Sequence, residues 1–279
     1  MSQVVKRRKK VKNVGSLVIV VIFVLWTIIP LVLLAQQAFK PHVLMFSDPP
    51  TFIFKPIGEH FVKIFSKQNI FPFIINSIIV GISTTFLCLV FGSMCAYALS
   101  RLRVPGKNIW ALFILIARMV PVSTLMIPIY SILRLIGLGN KLLAIIIAHT
   151  ALNLPLAIWM LRSFFDDIPA ALEQAALIDG CTRLKSFFVV ALPLVSSGLV
   201  ATGILTMLNS WNEFMFALVL SGRTTRTLPV GISSFVGSVS IDWGGSSAAA
   251  VIACLPIFIA GIFVQKYLVR GMTMGAVKG

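Results

Sequence analysis

DDIPAALEQAALIDGCTRLKSFFVVALP, residues 166–193, is a charged, helix-forming island set between long apolar runs. Pro169 lacks an amide proton, which suits the first turn of a helix, and it biases Ile168 away from helical geometry. Asp166 and Asp167 place negative charge ahead of that helix start, where it complements the helix dipole. The spacing predicts a helix over 170–179, with Leu172, Ala175 and Ala176 on one stripe. The alanines keep that stripe shallow, so another surface can approach closely. Gly180 supplies a break without a side-chain penalty. Thr182 is placed to cap a following helix, after which Arg183 and Lys185 stay at the membrane surface while Phe187–Leu192 return towards lipid. A helix of this kind between two spans is either a plain surface connection or a handle for a soluble partner.

The flanking sequence puts the chain in a bilayer. It is 58% hydrophobic and 11% charged over 279 residues, against roughly 25% charged in soluble domains. A hydrocarbon core of roughly 30 Å needs about 20 apolar residues per helix. Six segments qualify: 16–39, 71–99, 109–133, 141–162, 196–220 and 247–268. Each can satisfy its backbone hydrogen bonds internally, as lipid requires. The expected fold class is therefore an all-α membrane protein with six transmembrane helices.

A formal charge of +16 raises nucleic acid as a partner, and the distribution of that charge excludes it. Residues 1–15 hold six Lys and Arg; the 2–3 loop, the 4–5 loop and the C-terminal end hold three each. These four regions share one side of the six-span arrangement, and the other side carries only eight. Basic excess marks the cytoplasm, so both termini and the 166–193 island are expected inside, with anionic lipid headgroups as a secondary partner. The basic start followed by an apolar run resembles a secretory signal, but the run is too long and lacks a small-x-small cleavage site, so it reads as a retained first span. Cys88, Cys95, Cys181 and Cys254 show no metal-ligand spacing and read as packing residues.

The whole chain, 1–279, reads as one membrane domain, with a basic cytoplasmic tail at 1–15, the cytoplasmic loop at 166–193 and an external loop at 221–246. A short amphipathic helix is expected around Glu59–Lys67. The 221–246 loop, rich in Gly, Ser and Thr, is expected to be adaptable rather than packed. Pro30, Pro121, Pro128, Pro155 and Pro256 each remove a backbone donor inside a span and are expected to kink it.

Within the island the order Gln174-Ala175-Ala176, three residues, Gly180, nine residues, Val190, one residue, Leu192-Pro193 resembles the EAA loop of ABC-importer permeases. Further matches are Asn76-Ser77-Ile78, Ala96-Tyr97-Ala98-Leu99-Ser100-Arg101, Ile127-Pro128-Ile129-Tyr130, Trp211-Asn212-Glu213-Phe214 and the terminal Gly275-Ala276-Val277-Lys278-Gly279. Together they are similar to the second permease subunit of carbohydrate importers of the maltose-transporter type. The chain departs at the first motif position, where Gln174 stands in place of the usual Glu, with Glu173 beside it. The resemblance implies an ABC type I importer permease fold in the bacterial plasma (inner) membrane. It also implies a homologous second permease subunit, two ATPase subunits, an extracytoplasmic solute-binding protein and a carbohydrate substrate. It assigns ATPase coupling to Glu173, Gln174, Ala175, Ala176, Asp179 and Gly180, and to Lys278 and Gly279 at the C-terminus. It further implies that the 221–246 loop reaches into the solute-binding protein. The same architecture serves amino acids or polyamines as an alternative.

No Gly-x4-Gly-Lys-Ser/Thr occurs, and Gly106-Lys107 lacks the preceding glycine loop. The chain is thus expected to hold no cofactor, with ATP and Mg on the partner ATPase. No catalytic or metal-ligating set is expected; Glu213 is the only carboxylate assigned to the interior of a span. Ionisable residues at membrane depth face a cavity or a partner, and Arg118 and Glu213 are two such residues. Asn209, Trp211, Asn212, Glu213 and Arg118 are the candidate substrate path, because sugars are bound by planar hydrogen-bonding groups and aromatic faces. Alternatively, Arg118 and Glu213 satisfy one another or the partner permease. Asn76, His149 and Asn153 read as interhelical hydrogen-bonders.

Overall fold

A computed structural model describes residues 2–235 and 241–275, with side chains described for 15–235 and 241–263. The helices in chain order are α1 (Ser2–Phe39), α2 (His42–Met45), α3 (Glu59–Ser66), α4 (Phe71–Arg101), α5 (Lys107–Met119), α6 (Val122–Leu135), α7 (Leu142–Asp166) and α8 (Ala170–Ile178). There follows α9 (Arg183–Ser186), which passes through a π-helical turn, Phe187–Ala191, into α10 (Leu192–Leu194). The last four are α11 (Ser196–Asn212), α12 (Met215–Leu220), α13 (Leu228–Ser233) and α14 (Trp243–Gly275). Among the described residues four helices are long and apolar enough to cross a membrane, and six spans result when each of two bent pairs counts as one. The chain is an all-α membrane protein.

The chain divides into two compact units, residues 1–69 with 235–252, and residues 70–234 with 253–279. In the larger unit α4, α7 and α11 form the core. α4 and α7 run in the same direction, so that Gly92 faces Ala157 while Cys88 Sγ lies 3.7 Å from the Thr150 carbonyl oxygen. α11 runs against both: Gly203 faces Thr85 and Leu89 of α4, and Gly198 faces the Phe164 ring of α7. Small residues at these crossings let backbones approach closely, the packing that replaces the hydrophobic effect between helices in lipid. A Cβ added at Gly92 would stand 3.2 Å from that of Ala157. Apolar clusters cap the two ends of the core. One gathers Val80, Leu133, Ile145, Phe216, Leu220 and Val230; the other gathers Tyr97, Leu161, Phe165, Phe187 and Val195.

Two expected spans are broken. In place of one kinked helix over 109–133, α5 and α6 meet at 97°. Val120 is extended (φ −69°, ψ 125°), as a residue before proline prefers, and Pro121 then starts α6. Pro30, Pro128, Pro155 and Pro256 lie inside helices that continue through them. The 196–220 segment divides at Glu213 (φ −70°, ψ 127°) into α11 and α12, and α11 itself turns by 75° from the preceding Arg183–Leu194 stretch.

The segment expected as an adaptable 221–246 loop is packed over 227–231: Leu228 is fully buried, and Val230 and Gly231 are buried beside it. Asn76 Nδ2 donates to the carbonyls of Thr224 and Arg226, both at 2.9 Å, and Ser77 Oγ accepts from the Leu228 amide at 2.8 Å. These side chains satisfy the backbone groups that burial would otherwise leave orphaned. Residues 236–240 of that loop lie outside the described residues.

In the smaller unit the expected amphipathic helix is α3, with His60 and Ile64 buried. His60 Nε2 lies 2.9 Å from the Lys40 carbonyl oxygen, and the Phe39 and Phe61 rings pack with centroids 4.9 Å apart. Asp242 caps the start of α14 by accepting from the Gly245 amide at 3.0 Å, and its other oxygen accepts from Lys63 at 2.8 Å and Gln68 at 2.9 Å. Burial raises the Asp242 carboxyl pKa, but the hydrogen bonds from Lys63, Gly245 and Gln68 outweigh it and hold the group below its ordinary 3.8.

Two outcomes are expected. Gly92→Leu should force α4 from α7 at an overpacking cost of about 1–3 kcal/mol, seen as a lowered unfolding midpoint of the purified protein, while Gly15→Leu, in open space, should leave it unchanged. A carboxyl whose pKa is lower when folded contributes stability that is complete above the unfolded value and disappears as pH falls through the folded value. Amide exchange across 59–66 should therefore accelerate only as pH drops below 3.8, and Asp242→Asn should remove that acid step.

Candidate functional site

The 166–193 segment folds as a helix, a left-handed break and a second helix. Pro169 (φ −58°, ψ 123°) precedes α8, which ends at Ile178 against the expected Asp179. Gly180 takes φ 84°, a conformation in which a Cβ is penalised. Its amide donates to the Leu177 carbonyl at 3.2 Å, and the Cys181 amide donates to the Ala176 carbonyl at 3.0 Å. This pair of bonds satisfies carbonyls that a helix end leaves open. Thr182 caps α9 as expected, its Oγ1 accepting from the Lys185 amide at 3.2 Å.

The exposed side of α8 carries Leu172, Gln174 and Ala175, with Ala176 half-buried and Asp179 and Gly180 exposed at the tip. Ile178, not singled out in the sequence, is 85% exposed beside them; an apolar residue just before Asp179-Gly180 was the available signal. Glu173 faces the other way and is only 7% exposed. Its Oε1 accepts from Arg101 Nε at 2.7 Å and its Oε2 from the Tyr97 hydroxyl at 2.8 Å. Arg101 Nη2 donates in addition to the carbonyls of Phe165, at 2.7 Å, and Ile168. Glu173, assigned from the sequence to partner coupling, thus directs its carboxylate into its own chain. Asp166 likewise does not stand free before α8. It ends α7, accepts from Ser100 Oγ, and lies 3.6 Å from Arg162 Nε. Lys278 and Gly279 lie outside the described residues.

The residues proposed for a substrate path are not gathered. Asn209 and Asn212 are exposed, and Asn212 Nδ2 donates to Leu208, one turn back, at 3.0 Å. Trp211 points elsewhere: it is 4% exposed, and its indole N–H donates to the Ala253 carbonyl at 3.1 Å. Helical geometry separates them, because residue 211 lies about 100° around the helix from 212. Arg118 is exposed on α5 and has no carboxylate within ion-pair reach among the described residues.

Glu213 pairs with His149 instead of Arg118. His149 is fully buried on α7; its Nε2 lies 2.8 Å from Glu213 Oε2 and its Nδ1 lies 2.8 Å from Ser210 Oγ, both within hydrogen-bond reach. Glu213 also accepts from the amides of Phe216, at 2.9 Å, and Ala217, at 3.1 Å, so it caps α12. The Glu213 carboxylate therefore holds the break between α11 and α12. His149 is an interhelical hydrogen-bonder, as expected. Among the described residues no group of three or more His, Cys, Asp or Glu side chains could hold a metal.

Residues 88–274 match the family described as binding-protein-dependent transport system inner membrane component. The sulfoquinovosyl glycerol transport system permease SmoH of Agrobacterium fabrum is 38% identical over 80% of this chain and 79% of its own length. The trehalose/maltose transport system permease MalG of Thermococcus litoralis is 36% identical over 85% of this chain and 89% of its own. Among solved structures, a chain of a bacterial ABC transporter for the acidic polysaccharide alginate superposes with a TM-score of 0.80 at 21% identity, over 94% of this chain and 98% of that one. At that identity the likeness speaks for the fold. The chain belongs to the family of inner-membrane permease components of binding-protein-dependent transport systems.

Proposed function

We propose that this chain is one of two homologous permease subunits of an ATP-driven carbohydrate importer, and that two separate ATPase subunits grip it at residues 166–193. The observation that carries the reading is the exposed face of α8, with Gln174, Ala175, Ile178, Asp179 and Gly180 presented together at the tip of a helix that a left-handed glycine terminates. The absence of a phosphate loop from the sequence calls for an energy source on another chain. In this reading ATP and Mg belong to the ATPases, Lys278 and Gly279 add to the same docking surface, and an extracytoplasmic binding protein delivers the solute. The carbohydrate assignment rests on the sugars named in the related permeases. Amino acids and polyamines remain the alternative, since a methionine importer shares the fold with a TM-score of 0.54.

The placement of the path residues alters their proposed roles. Asn209 and Asn212, exposed on α11, are the groups available to a sugar hydroxyl. Trp211 and Glu213 act from behind, one seating α11 against α14 and the other holding the α11–α12 break.

Four measurements test this. Co-purification from a membrane extract should bring two ATPase chains and a second permease with the protein; recovery of the chain alone, moving solute without ATP, would overturn the proposal. Gly180→Pro combined with Ala176→Glu should abolish ATPase binding and uptake while membrane insertion survives, because proline cannot adopt φ 84°. Ile178→Asp, which changes only an exposed side chain, should cut ATP-driven uptake by about tenfold or more, within the range expected when a hot-spot contact is removed. Ligand screening of the binding protein with maltose, trehalose, alanine and putrescine decides between sugar and non-sugar solutes.

A further inference from the structure

We infer that Tyr97, Arg101 and Glu173 form a clamp that makes α8 move as one piece with the ends of α4 and α7, so that a push on α8 is delivered to the helical core. This inference rests on the proposed coupling role of the 166–193 segment. By covalent connection alone, α8 would be a loose lever. It is joined to α7 through only Asp167, Ile168 and Pro169, with extended backbone at Pro169, and to α9 through the left-handed Gly180. Both joints allow swivelling, and a lever that swivels dissipates the displacement applied to it.

The clamp removes that freedom. Glu173 sits in the first turn of α8, and both of its oxygens are taken by the last turns of α4: Oε1 by Arg101 and Oε2 by Tyr97. The guanidinium of Arg101 reaches a third element, since its Nη2 donates to the Phe165 and Ile168 carbonyls where α7 ends. Those carbonyls belong to the orphan acceptors of a helix terminus. A planar guanidinium with five donors can serve three acceptors at fixed angles; an ammonium on a flexible stem holds no such fork. The pair is shielded, at 15% and 9% side-chain exposure, so loss of either partner leaves a buried charge uncompensated. The Tyr97 ring packs against both Phe165 and Phe187, at centroid distances of 5.6 and 4.8 Å, which carries the contact from α4 to the helix that follows Gly180. Tyr97, Arg101 and Glu173 are positioning residues: none is offered to a partner, and each fixes the attitude of the face that is.

The test uses the complete complex in nanodiscs, with the native cysteines replaced and two spin-label pairs. The first pair, on Phe91 of α4 and Ala171 of α8, reads how rigidly α8 is held. The second, on Ile82 of α4 and Leu218 of α12, reads whether MgATP with vanadate moves the opposite end of the core. In the parent protein the first pair should give one narrow distance with and without nucleotide, and the second should shift on trapping. Glu173→Gln should broaden the first distribution by about twofold and abolish the shift of the second, with the ATPases still bound, an effect at the upper end of mutational coupling energies. Arg101→Lys should do the same in part. Tyr97→Phe, the mildest change, should give a smaller broadening and a reduced shift, and it remains informative should Glu173→Gln fail to fold. An unbroadened first pair in Glu173→Gln, or a broadened one with the second shift intact, overturns the clamp. Failure of the parent protein to retain ATPase subunits overturns the coupling role instead, and the first pair alone then decides whether the clamp holds α8.

Discussion

The close approach of α4 to α7 and α11 is the constraint on which the rest of the larger unit depends. In lipid no hydrophobic gain drives one apolar helix against another, so the association relies on close van der Waals contact and on polar groups that find partners. Gly92 against Ala157 and Gly203 against Thr85 and Leu89 supply the first. The second is supplied at both ends of the core, by Asn76 and Ser77 at one and by Arg101 at the other. Once the three helices are set at this spacing, the breaks in the outer helices have surfaces to fold back upon.

The paired ionisable side chains in that core serve backbone geometry. Glu213 caps a helix that begins where another stops, with His149 and Ser210 completing its surroundings. Arg101 closes the end of α7 and ties down α8. A charge in an apolar setting is costly unless paired, and these pairs hold non-helical backbone where helices end, at the α11–α12 break and at the junction of α7 with α8. This arrangement is consistent with a transport component whose work is motion: the groups hold hinges and levers, and the exposed α8 face is left to shape and apolar contact.

Much of the candidate site was legible in the sequence. Pro169, Gly180 and Thr182 act where their chemistry dictates, because a missing amide, a missing Cβ and a side-chain oxygen each bias backbone within one or two residues. The orientation of Glu173 was not legible. Its neighbour Gln174 is exposed while Glu173 is buried, and nothing in their adjacency says which of two polar residues has an arginine waiting 72 positions away. For the same reason Arg118 and Glu213 do not find one another. Both are charged and both sit in apolar runs, but the partner of Glu213 is a histidine that composition alone marks as an ordinary polar residue.

The amino-acid sequence by itself determined that this chain lives in a bilayer, where its long helices run, and which short stretch breaks the apolar pattern with a proline, a glycine and a capping threonine. These follow from local rules: apolar length against membrane thickness, and backbone preferences of single residues. Only the tertiary structure decided that the third apolar segment is broken at a steep angle and the fifth interrupted at Glu213, that Leu228, Val230 and Gly231 are buried, and that Tyr97, Arg101 and Glu173 meet. Those outcomes depend on groups far apart in the chain satisfying one another where no water is available, and the identity of a distant partner is not written in the residues beside it.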